Sequence, residues 1–260
     1  MTRLSTTPVK GLALHHPRSI SLNAQGADAD RLFYLLDESG MIQSCTRNPQ
    51  LYGLSASYDT ESRRLEVSRG DELLIGGTAE RGERVETDVW GLRMLSSDVV
   101  ADPTWSEFFS TLTGRRVQLV QGRGTAYDVR PVTLLGASSV AALAQNAGVP
   151  QIDARRFRML IEFSGGLPYV EDSWEGRLVQ VGEAVLRGGG PVHRCAATTR
   201  DPETGAVNLQ VLRMILDHRG RQDSLLGPGA NFGVYGDVVE PGRVSIGDRL
   251  EIEPAVPDRA

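Results

Sequence analysis

Cys195 is the residue of this chain best suited to chemistry. It is one of two cysteines in 260 residues, and His193 and Arg194 come directly before it. A neighbouring arginine and histidine stabilise a thiolate by electrostatic attraction, and the thiolate is the form that attacks electrophiles and binds soft metals. The position therefore predicts a reactive thiol or a metal ligand, and the alternative is a buried cysteine that only packs.

A longer motif surrounds this thiol. Residues 191–205 are PVHRCAATTRDPETG, in which an Arg-Cys pair precedes small residues, two threonines and Asp-Pro-Glu-Thr-Gly. Two further stretches, EDSWEGRLVQVG at 171–182 and NFGVYGDVVEPGRVSIGD at 231–248, lie on either side. Together these motifs, in this order, resemble the MOSC domain, which is named for the C-terminal region of molybdenum cofactor sulfurase.

The N-terminal half carries a second resemblance. PVKG at 8–11 and DRLFYLL at 30–36 are similar to the β-barrel-like domain that precedes MOSC in the amidoxime-reducing component branch. The resemblance implies an α+β, strand-rich fold in which a MOSC β-barrel follows a smaller β-barrel-like domain, with a few short helices. We place the domains at 1–122 and 123–260, because the glycine-containing residues 121–125 separate two apolar segments.

The resemblance also implies a cofactor and its ligands. The matching cysteine ligates molybdenum in relatives of the amidoxime-reducing type, so Cys195 would be the metal ligand of a molybdenum cofactor. Arg194 would offset negative charge beside the metal. The rest of the implied cofactor-binding set comprises Lys10, Arg31 and Arg158 at the phosphate end, together with His193, Thr198 and Asp201.

The individual residues have simpler interpretations. Lys10 and Arg31, taken alone, are typical of solvated surface charges. Asp201 is also suited to form the turn that Gly205 completes, without touching a ligand. His193 has the alternative of a hydrogen-bonded neighbour that transfers no proton.

Two departures from the family pattern affect the expected site. The family's Phe-Arg-Pro-Asn is replaced here by Phe-Arg-Met159-Leu160, and the serine after Lys10 is replaced by Gly11. Two polar contacts to the cofactor are thereby lost. The cofactor is then held by fewer bonds, or backbone groups substitute, or this member has abandoned molybdenum.

The resemblance implies a molybdenum-dependent oxidoreductase that reduces N-hydroxylated small molecules by oxygen-atom transfer. Electrons would come from an external protein, a ferredoxin or a cytochrome b5-like protein with its reductase. Two alternatives remain: a sulfur carrier that holds a persulfide on Cys195, and a non-catalytic module that binds a small anion.

The composition of the chain limits the kinds of partner that it is expected to bind. A net charge of −5 and a pI near 5.5 argue against broad attraction to nucleic acid or to an anionic membrane, so any anion site must be local. The first residues contain no secretory signal, and no segment is apolar enough to span a bilayer. Two distant cysteines predict a reducing, cytoplasmic location without a disulfide framework.

Scattered glycines and prolines between short apolar segments predict many strands. The candidate strands are 32–36, 41–44, 51–58, 65–68, 73–76, 117–120, 159–163, 178–186 and 249–252. Three helices are also predicted. The first begins at Thr104, with capping-box spacing to Glu107, and ends at Gly114. The second runs from residue 138 or 139 to 148, and the third covers 208–217.

Overall fold

The computed structural model describes residues 1–253, so the last residues of the predicted domain 123–260 lie outside it. Its strands up to the first α-helix are β1 (Arg3–Leu4), β2 (Ser19–Asn23), β3 (Gly26–Ala27), β4 (Phe33–Asp37), β5 (Ile42–Gln43), β6 (Leu54–Asp59), β7 (Arg64–Arg69), β8 (Glu72–Thr78), β9 (Arg81–Val89) and β10 (Arg93–Val100). The later strands are β11 (Val117–Gly122), β12 (Val132–Gly136), β13 (Ile161–Phe163), β14 (Leu178–Val181), β15 (Ala184–His193), β16 (Asn231–Glu240), β17 (Gly242–Ser245) and β18 (Leu250–Ile252). The α-helices are α1 (Pro103–Thr113), α2 (Ala137–Asn146) and α3 (Val211–Arg219). This is the strand-rich architecture with a few short helices that the sequence predicts.

A seven-stranded sheet forms the centre of the C-terminal half. Its strand order is β1-β13-β12-β16-β15-β14-β18, and every pair is antiparallel except β12 with β13. Leu134, Ile161 and Val234 lie on adjacent strands and are almost completely buried in one apolar cluster. The alternation of buried and exposed positions along β14 fits a sheet with one face against that core.

The N-terminal half contains a five-stranded sheet of order β5-β4-β11-β10-β9 and a three-stranded sheet of order β6-β7-β8. Helix α1 packs Trp105 and Phe109 into the same apolar cluster as Leu65 and Leu119. Its i, i+4 spacing puts the two aromatic rings on one helical face, as the sequence predicts. The aromatic stripe therefore serves the core.

The two halves are joined by strand pairing. Strand β1 adds to the C-terminal sheet, where Arg3 is opposite Glu162, and β2 pairs with β17, where Ile20 is opposite Val244. The predicted cut at residue 122 falls at the end of β11 in the chain, but β1 and β2 pair across it in space. The loops between these strands consequently meet C-terminal segments directly.

The structure corrects several predicted elements. The cap of α1 is Asp102, whose carboxylate accepts a 3.0 Å bond from the backbone N–H of Thr104, so Thr104 is inside the helix. Helix α3 begins at Val211 because the side chain of Asn208 is engaged elsewhere. The predicted strand 178–186 is a hairpin that turns at Gly182, with φ of 59°.

Other boundaries shift by a few residues. The segment 51–58 starts with a 3-10 turn, and the segment 159–163 is a strand only from Ile161. The β9–β10 hairpin was not predicted, because β9 is rich in charge and mostly exposed along its first half. Within residues 1–253, none of the helices has both the length and the apolar character needed to cross a bilayer.

Candidate functional site

Cys195 lies at the exit of β15. The strand ends at His193, the N–H of Arg194 donates to the carbonyl of Ala230 at 2.8 Å, and a 3-10 turn begins at Ala196. The backbone N–H and the hydroxyl of Thr198 both donate to the Cys195 carbonyl, at 3.2 and 3.0 Å. This turn fixes the backbone and leaves the thiol exposed.

The thiol borders a cavity of about 420 Å³ between the two halves of the chain. Thr46, from the N-terminal half, places its Oγ1 3.7 Å from the Cys195 Sγ. Seven of the eight predicted site residues line this cavity: Lys10, Arg31, Arg158, His193, Arg194, Cys195 and Thr198. The segments that carry them are far apart in sequence, and the strand pairing described above brings them together.

Asp201 is the exception, since it is not part of the cavity lining. One carboxylate oxygen accepts bonds from the backbone N–H groups of Glu203 and Thr204, each at 3.0 Å. The other oxygen accepts from Asn208 at 3.3 Å. These are the bonds of a tight turn, which is the simpler of the two sequence interpretations of Asp201.

Positive charge dominates the cavity wall. Its lining contains the basic residues Lys10, Arg31, Arg47, Arg130, Arg156, Arg158 and Arg194, and a single acidic one, Asp128. Among the described residues, Arg47, Arg158 and Arg194 have no carboxylate within 4.0 Å. An acidic protein thus concentrates unneutralised cations at one place, which favours an anionic ligand.

Asp128 organises one side of this wall. Its Oδ1 accepts from the Lys10 ammonium at 2.7 Å and from the Trp90 indole N–H at 2.9 Å. Desolvation by the cavity walls opposes ionisation, but Lys10 and Trp90 outweigh it and lower the pKa of Asp128 to about 2. The carboxylate therefore holds Lys10 in place at neutral pH.

Arg31 and Arg158 connect the two halves. One guanidinium nitrogen of Arg31 donates to the Arg158 carbonyl at 3.1 Å, and Arg158 donates to the Leu12 carbonyl at 2.6 Å. Six non-glycine residues of the described chain have positive φ, and three of them, Arg31, Trp90 and Arg158, line this cavity. Such conformations cost about 1–3 kcal/mol each and concentrate at ligand sites.

Arg194 lies beside the thiol with its guanidinium incompletely satisfied. Its Nη1 donates to the Met159 sulfur at 3.2 Å, its Nη2 donates to the Phe157 carbonyl, and its Nε is buried without a partner. Burial lowers the pKa of Arg194, although the guanidinium stays protonated in any physiological range. A buried cation without a carboxylate is costly unless an anion compensates it.

Arg156 is a site residue that the sequence reasoning did not select. It is 7% exposed, its Nη2 donates to Asn208 at 2.7 Å, and its Nε and Nη1 are buried without partners. The signal was present in the sequence as one more arginine beside Phe157 and Arg158. Nothing in that spacing showed that Arg156 points inward.

His193 lines the cavity, and its imidazole ring lies against Ser224 and Gly229. Its Nδ1 lies 3.4 Å from the Ser224 hydroxyl, and a Cβ at Gly229 would lie 2.3 Å from its Cε1. Glycine at 229 therefore leaves the room that the imidazole occupies. The contact with Ser224 shows that His193 has a hydrogen-bonding neighbour on the side of the 222–229 loop.

Comparison with known families decides the relationship. Residues 121–251 match the MOSC domain, and residues 1–116 match the MOSC N-terminal beta barrel domain. The chain belongs to the MOSC domain family. Its fold is therefore an N-terminal barrel domain followed by a MOSC domain, as the sequence predicts.

Individual relatives are distant. Mitochondrial amidoxime-reducing component 1 from Homo sapiens is 25% identical over 84% of this chain and 71% of its own length. The same protein from Mus musculus is 25% identical over 92% of this chain and 77% of its own. Molybdenum cofactor sulfurase from Oryza sativa subsp. japonica is also 25% identical, over 93% of this chain but only 33% of the larger protein.

The departures of this MOSC protein from the family pattern have local explanations. Gly11 has φ of 97°, and a Cβ there would lie 3.3 Å from the Cys45 backbone nitrogen, so a serine would be strained. Leu160 is almost fully buried in the C-terminal core and replaces an asparagine. Met159 supplies the sulfur that accepts from Arg194.

A metal in this MOSC domain would need more than side chains. No group of three or more His, Cys, Asp or Glu residues within the described part of the chain could hold an ion.

Proposed function

We propose that this protein is a molybdenum-cofactor-dependent oxidoreductase that reduces N-hydroxylated small molecules. The observation that carries the proposal is an exposed thiol, Cys195, in a cavity that is also lined by the guanidinium of Arg194, which has no carboxylate within 4.0 Å among the described residues. A soft ligand beside unpaired cations matches a metal held by an anionic organic cofactor. The names of the similar proteins, amidoxime-reducing component and molybdenum cofactor sulfurase, support the same chemistry.

The cavity fits such a group. Its volume of about 420 Å³ lies within the range of about 300–1,000 Å³ typical of small-molecule sites. Arg158 and Arg194, which line the cavity and have no carboxylate within 4.0 Å among the described residues, are donors for an anionic ligand. The apolar Leu160 removes one polar contact, and the cluster of arginines supplies others.

Each residue of the cavity wall would have a role that follows from its position. Cys195 would ligate the metal, and Arg194 would compensate negative charge next to it. Lys10, Arg31 and Arg158 would bind the phosphate end of the cofactor, with Lys10 held by Asp128 and Arg158 held by the Leu12 carbonyl. When bound, the cofactor supplies the two-electron oxygen-atom chemistry that cleaves an N–O bond.

Trp90 and Leu226 would contact the substrate. Both line the cavity and are exposed, at 42% and 39%, so they form an apolar part of its mouth. Apolar contacts of this kind orient the body of a small organic molecule and exclude water from its polar end.

We propose that electrons arrive from a separate protein, a ferredoxin or a cytochrome b5-like protein with its reductase. This chain has two cysteines, too few for a four-thiolate iron–sulfur cluster. Both cysteines are free in the structure, which supports a reducing, cytoplasmic location as part of the same proposal.

Elemental analysis and turnover test the proposal together. The purified protein should contain molybdenum in near one-to-one ratio and reduce benzamidoxime to benzamidine with a reduced viologen as donor. Cys195→Ser should lower the molybdenum content by more than about 100-fold. Changing a group that only supports a metal ligand already costs about 10–100-fold in metal affinity. Cys45→Ala, which removes the other thiol from the apolar core, should retain molybdenum. Protein without molybdenum after expression with a cofactor supply would contradict the proposal.

A persulfide carrier is the second candidate, favoured by the exposure of the Cys195 sulfur and its long 3.7 Å contact with Thr46. An accessible, weakly engaged sulfur suits attack on a second sulfur atom. Incubation with a cysteine desulfurase and cysteine should then add one sulfur atom to Cys195, detected by intact mass and lost in Cys195→Ser. Stoichiometric molybdenum on the same cysteine would exclude this candidate.

A further inference from the structure

A tryptophan forms part of the cavity mouth, at the tip of the β9–β10 hairpin. Trp90 lines the cavity and is 42% exposed, whereas the other two tryptophans of the chain, Trp105 and Trp174, are each 1% exposed. Leu92, on the same tip, is 44% exposed but does not line the cavity. Both tip residues expose apolar surface, and Trp90 is the one that contacts the cavity.

The backbone at this tip has an unusual conformation for an aromatic residue. Trp90 has φ of 59° and Gly91 has φ of 71°. Glycine, asparagine and aspartate adopt such angles readily, whereas a bulky side chain adopts them at a cost. The Gly91 N–H donates to the Asp88 carboxylate at 2.7 Å, and the Leu92 N–H donates to the Val89 carbonyl at 3.0 Å. These bonds hold Trp90 in a conformation that its own local preference disfavours.

The indole ring is fixed by a residue that follows the predicted domain boundary. Its Nε1 donates to the Oδ1 of Asp128 at 2.9 Å, and the Lys10 ammonium donates to the same oxygen at 2.7 Å. A bond from an N–H group to an ionised carboxylate is stronger than a bond between neutral groups. The indole therefore keeps one orientation at the mouth of the cavity.

Arg93 fastens the hairpin to the segment that carries Asp128. Its guanidinium donates to the carbonyls of Thr125 and Tyr127 at 3.0 and 2.9 Å, and it lies 3.9 Å from the centroid of the Tyr127 ring. Val89, on the other side of the tip, is completely buried. Because the hairpin is anchored on both sides of its tip, Trp90 is a rigid aromatic wall, and a rigid wall binds a ligand with little loss of conformational freedom.

The rest of the cavity limits the ligand that this wall contacts. Basic side chains dominate the lining, so the polar part of a ligand is neutral or anionic. Trp90 and Leu226 are exposed apolar residues of the same lining, so the other part of the ligand is apolar. An aromatic wall favours a flat ring over a saturated one, since stacked or edge-to-face contacts between rings add about 2–10-fold in affinity beyond the burial of area.

We propose that Trp90 is a specificity-determining residue that selects ligands with a flat aromatic ring, and that Asp128 is the positioning residue that holds its indole. The inference rests on the proposed reduction and names its substrate class, which is aromatic compounds that carry an uncharged N-hydroxylated group. The ring lies against Trp90, and the polar group enters the cavity that Cys195 borders.

Calorimetric titration of two amidoximes into the purified full chain tests the role of Trp90. Benzamidoxime has a flat ring, and cyclohexanecarboxamidoxime has the same polar group on a saturated ring. The original protein should bind benzamidoxime about 2–10-fold more tightly. Trp90→Leu should lose this preference, and Trp90→Phe should keep most of it. A wall that is merely apolar would instead favour the saturated ring, which has the larger apolar surface.

Leu92→Ala is the matched control, because Leu92 lies on the same tip with nearly the same exposure and does not line the cavity. It should bind both amidoximes as the original protein does. Asp128→Ala should reduce the preference for benzamidoxime, and Asp128→Asn, which retains an oxygen for the indole N–H, should restore most of it. The ratio of the two affinities isolates the indole, since a change at Lys10 affects both ligands alike. An unchanged ratio in Asp128→Ala would overturn the positioning role.

Tryptophan fluorescence gives an independent readout. Because Trp105 and Trp174 are buried in the apolar clusters, benzamidoxime should change the emission of the original protein and of Leu92→Ala, but not of Trp90→Phe. Circular dichroism and thermal unfolding verify that each variant is folded.

Equal affinities for the two amidoximes in the original protein, no binding in the millimolar range, or a preference that survives in Trp90→Leu overturns the role of Trp90. Neither the titration nor the fluorescence requires turnover. Absence of molybdenum together with a preference that depends on Trp90 would therefore contradict only the proposed oxidoreductase.

Discussion

Two arginine clusters in this molecule use the same side chain in opposite ways. In the N-terminal half, Arg81, Arg123 and Arg84 surround Asp98 at 2.5, 2.9 and 3.8 Å, and Asp98 is only 2% exposed. In the cavity, Arg194 donates to a sulfur and a carbonyl, and one of its nitrogens has no partner. The first cluster contains its own anion, whereas Arg47, Arg158 and Arg194 of the cavity have no carboxylate within 4.0 Å among the described residues.

The arginines around Asp98 have a structural role, whereas the unpaired arginines of the cavity are available to a ligand. Around Asp98, the cations compensate a buried carboxylate and join β9, β10 and the segment after β11. Around the cavity, Arg47, Arg158 and Arg194 have no carboxylate partner among the described residues, and a bound anion would compensate their charge. The comparison predicts that substitutions in the first cluster change stability and those in the second change ligand retention.

The largest expected effect is at Arg194. Arg194→Gln removes one or two charge-assisted bonds of about 1.5–3 kcal/mol, so cofactor retention should fall by about 10–100-fold. Thermal stability should change little, because the substitution also removes a buried, unpartnered Nε. Molybdenum content after dialysis, measured beside a melting curve, checks both parts. A large loss of stability with unchanged cofactor would place Arg194 with the structural arginines.

The second prediction concerns Asp98. Asp98→Asn leaves three guanidiniums without their carboxylate and should lower the free energy of unfolding by about 2 kcal/mol, less than the roughly 3–5 kcal/mol of a fully buried pair because these arginines are partly exposed. Urea unfolding measures the change. Molybdenum content should not move, and a variant that loses cofactor while remaining stable would break the comparison.

The pH dependence of unfolding also tests whether the arginines around Asp98 have a structural role. Burial opposes ionisation of Asp98, but the bonds from Arg123 and Arg81 outweigh it, and its pKa lies below 3.8. A carboxyl whose folded pKa is lowered contributes stability that is present above pH 3.8 and is lost as the pH falls through the folded value. Unfolding followed by fluorescence should therefore depend more steeply on pH below 3.8 in the original protein than in Asp98→Asn. Identical acid profiles would show that the arginines do not hold the ionised form.

The smallest expected effect is at the departure beside Lys10. Gly11→Ser reintroduces the residue of the family pattern at a φ of 97° and 3.3 Å from the Cys45 nitrogen, so it should cost about 1 kcal/mol or slightly more. Chemical denaturation measures the cost. If Gly11→Ser is instead stabilising, the left-handed backbone does not require the glycine, and the loss of serine has another reason.

Local signals served the prediction best. The run from His193 to Gly205 identified the thiol and its neighbours, because the motif is contiguous and its small residues form one strand end and one turn. Local signals are less accurate at two other places. They predict Thr104 as the cap of α1, where the structure has Asp102, and they predict one strand over 178–186, where the structure has a hairpin that turns at Gly182. In both cases a neighbouring residue one or two positions away completes the hydrogen bond or the turn.

Asp201 and Arg156 show where sequence reasoning stops. Both are charged residues close to the motif, and Asp201 was selected while Arg156 was not. The carboxylate of Asp201 is consumed by the backbone of its own turn, whereas Arg156 is buried with two free donors. Which charge is satisfied depends on the groups that surround it, and those come from segments distant in the chain.

The sequence by itself determined the family, the strand-rich class and the thiol on which the proposed chemistry depends, because these reside in contiguous motifs and short-range periodicity. Only the tertiary structure decided that β1 and β2 pair across the predicted boundary, that seven basic side chains meet in one cavity, and that Trp90 bonds to Asp128 at its mouth. Strand pairing and charge compensation are long-range, so the position of a guanidinium relative to its counter-ion appears only when the chain is folded.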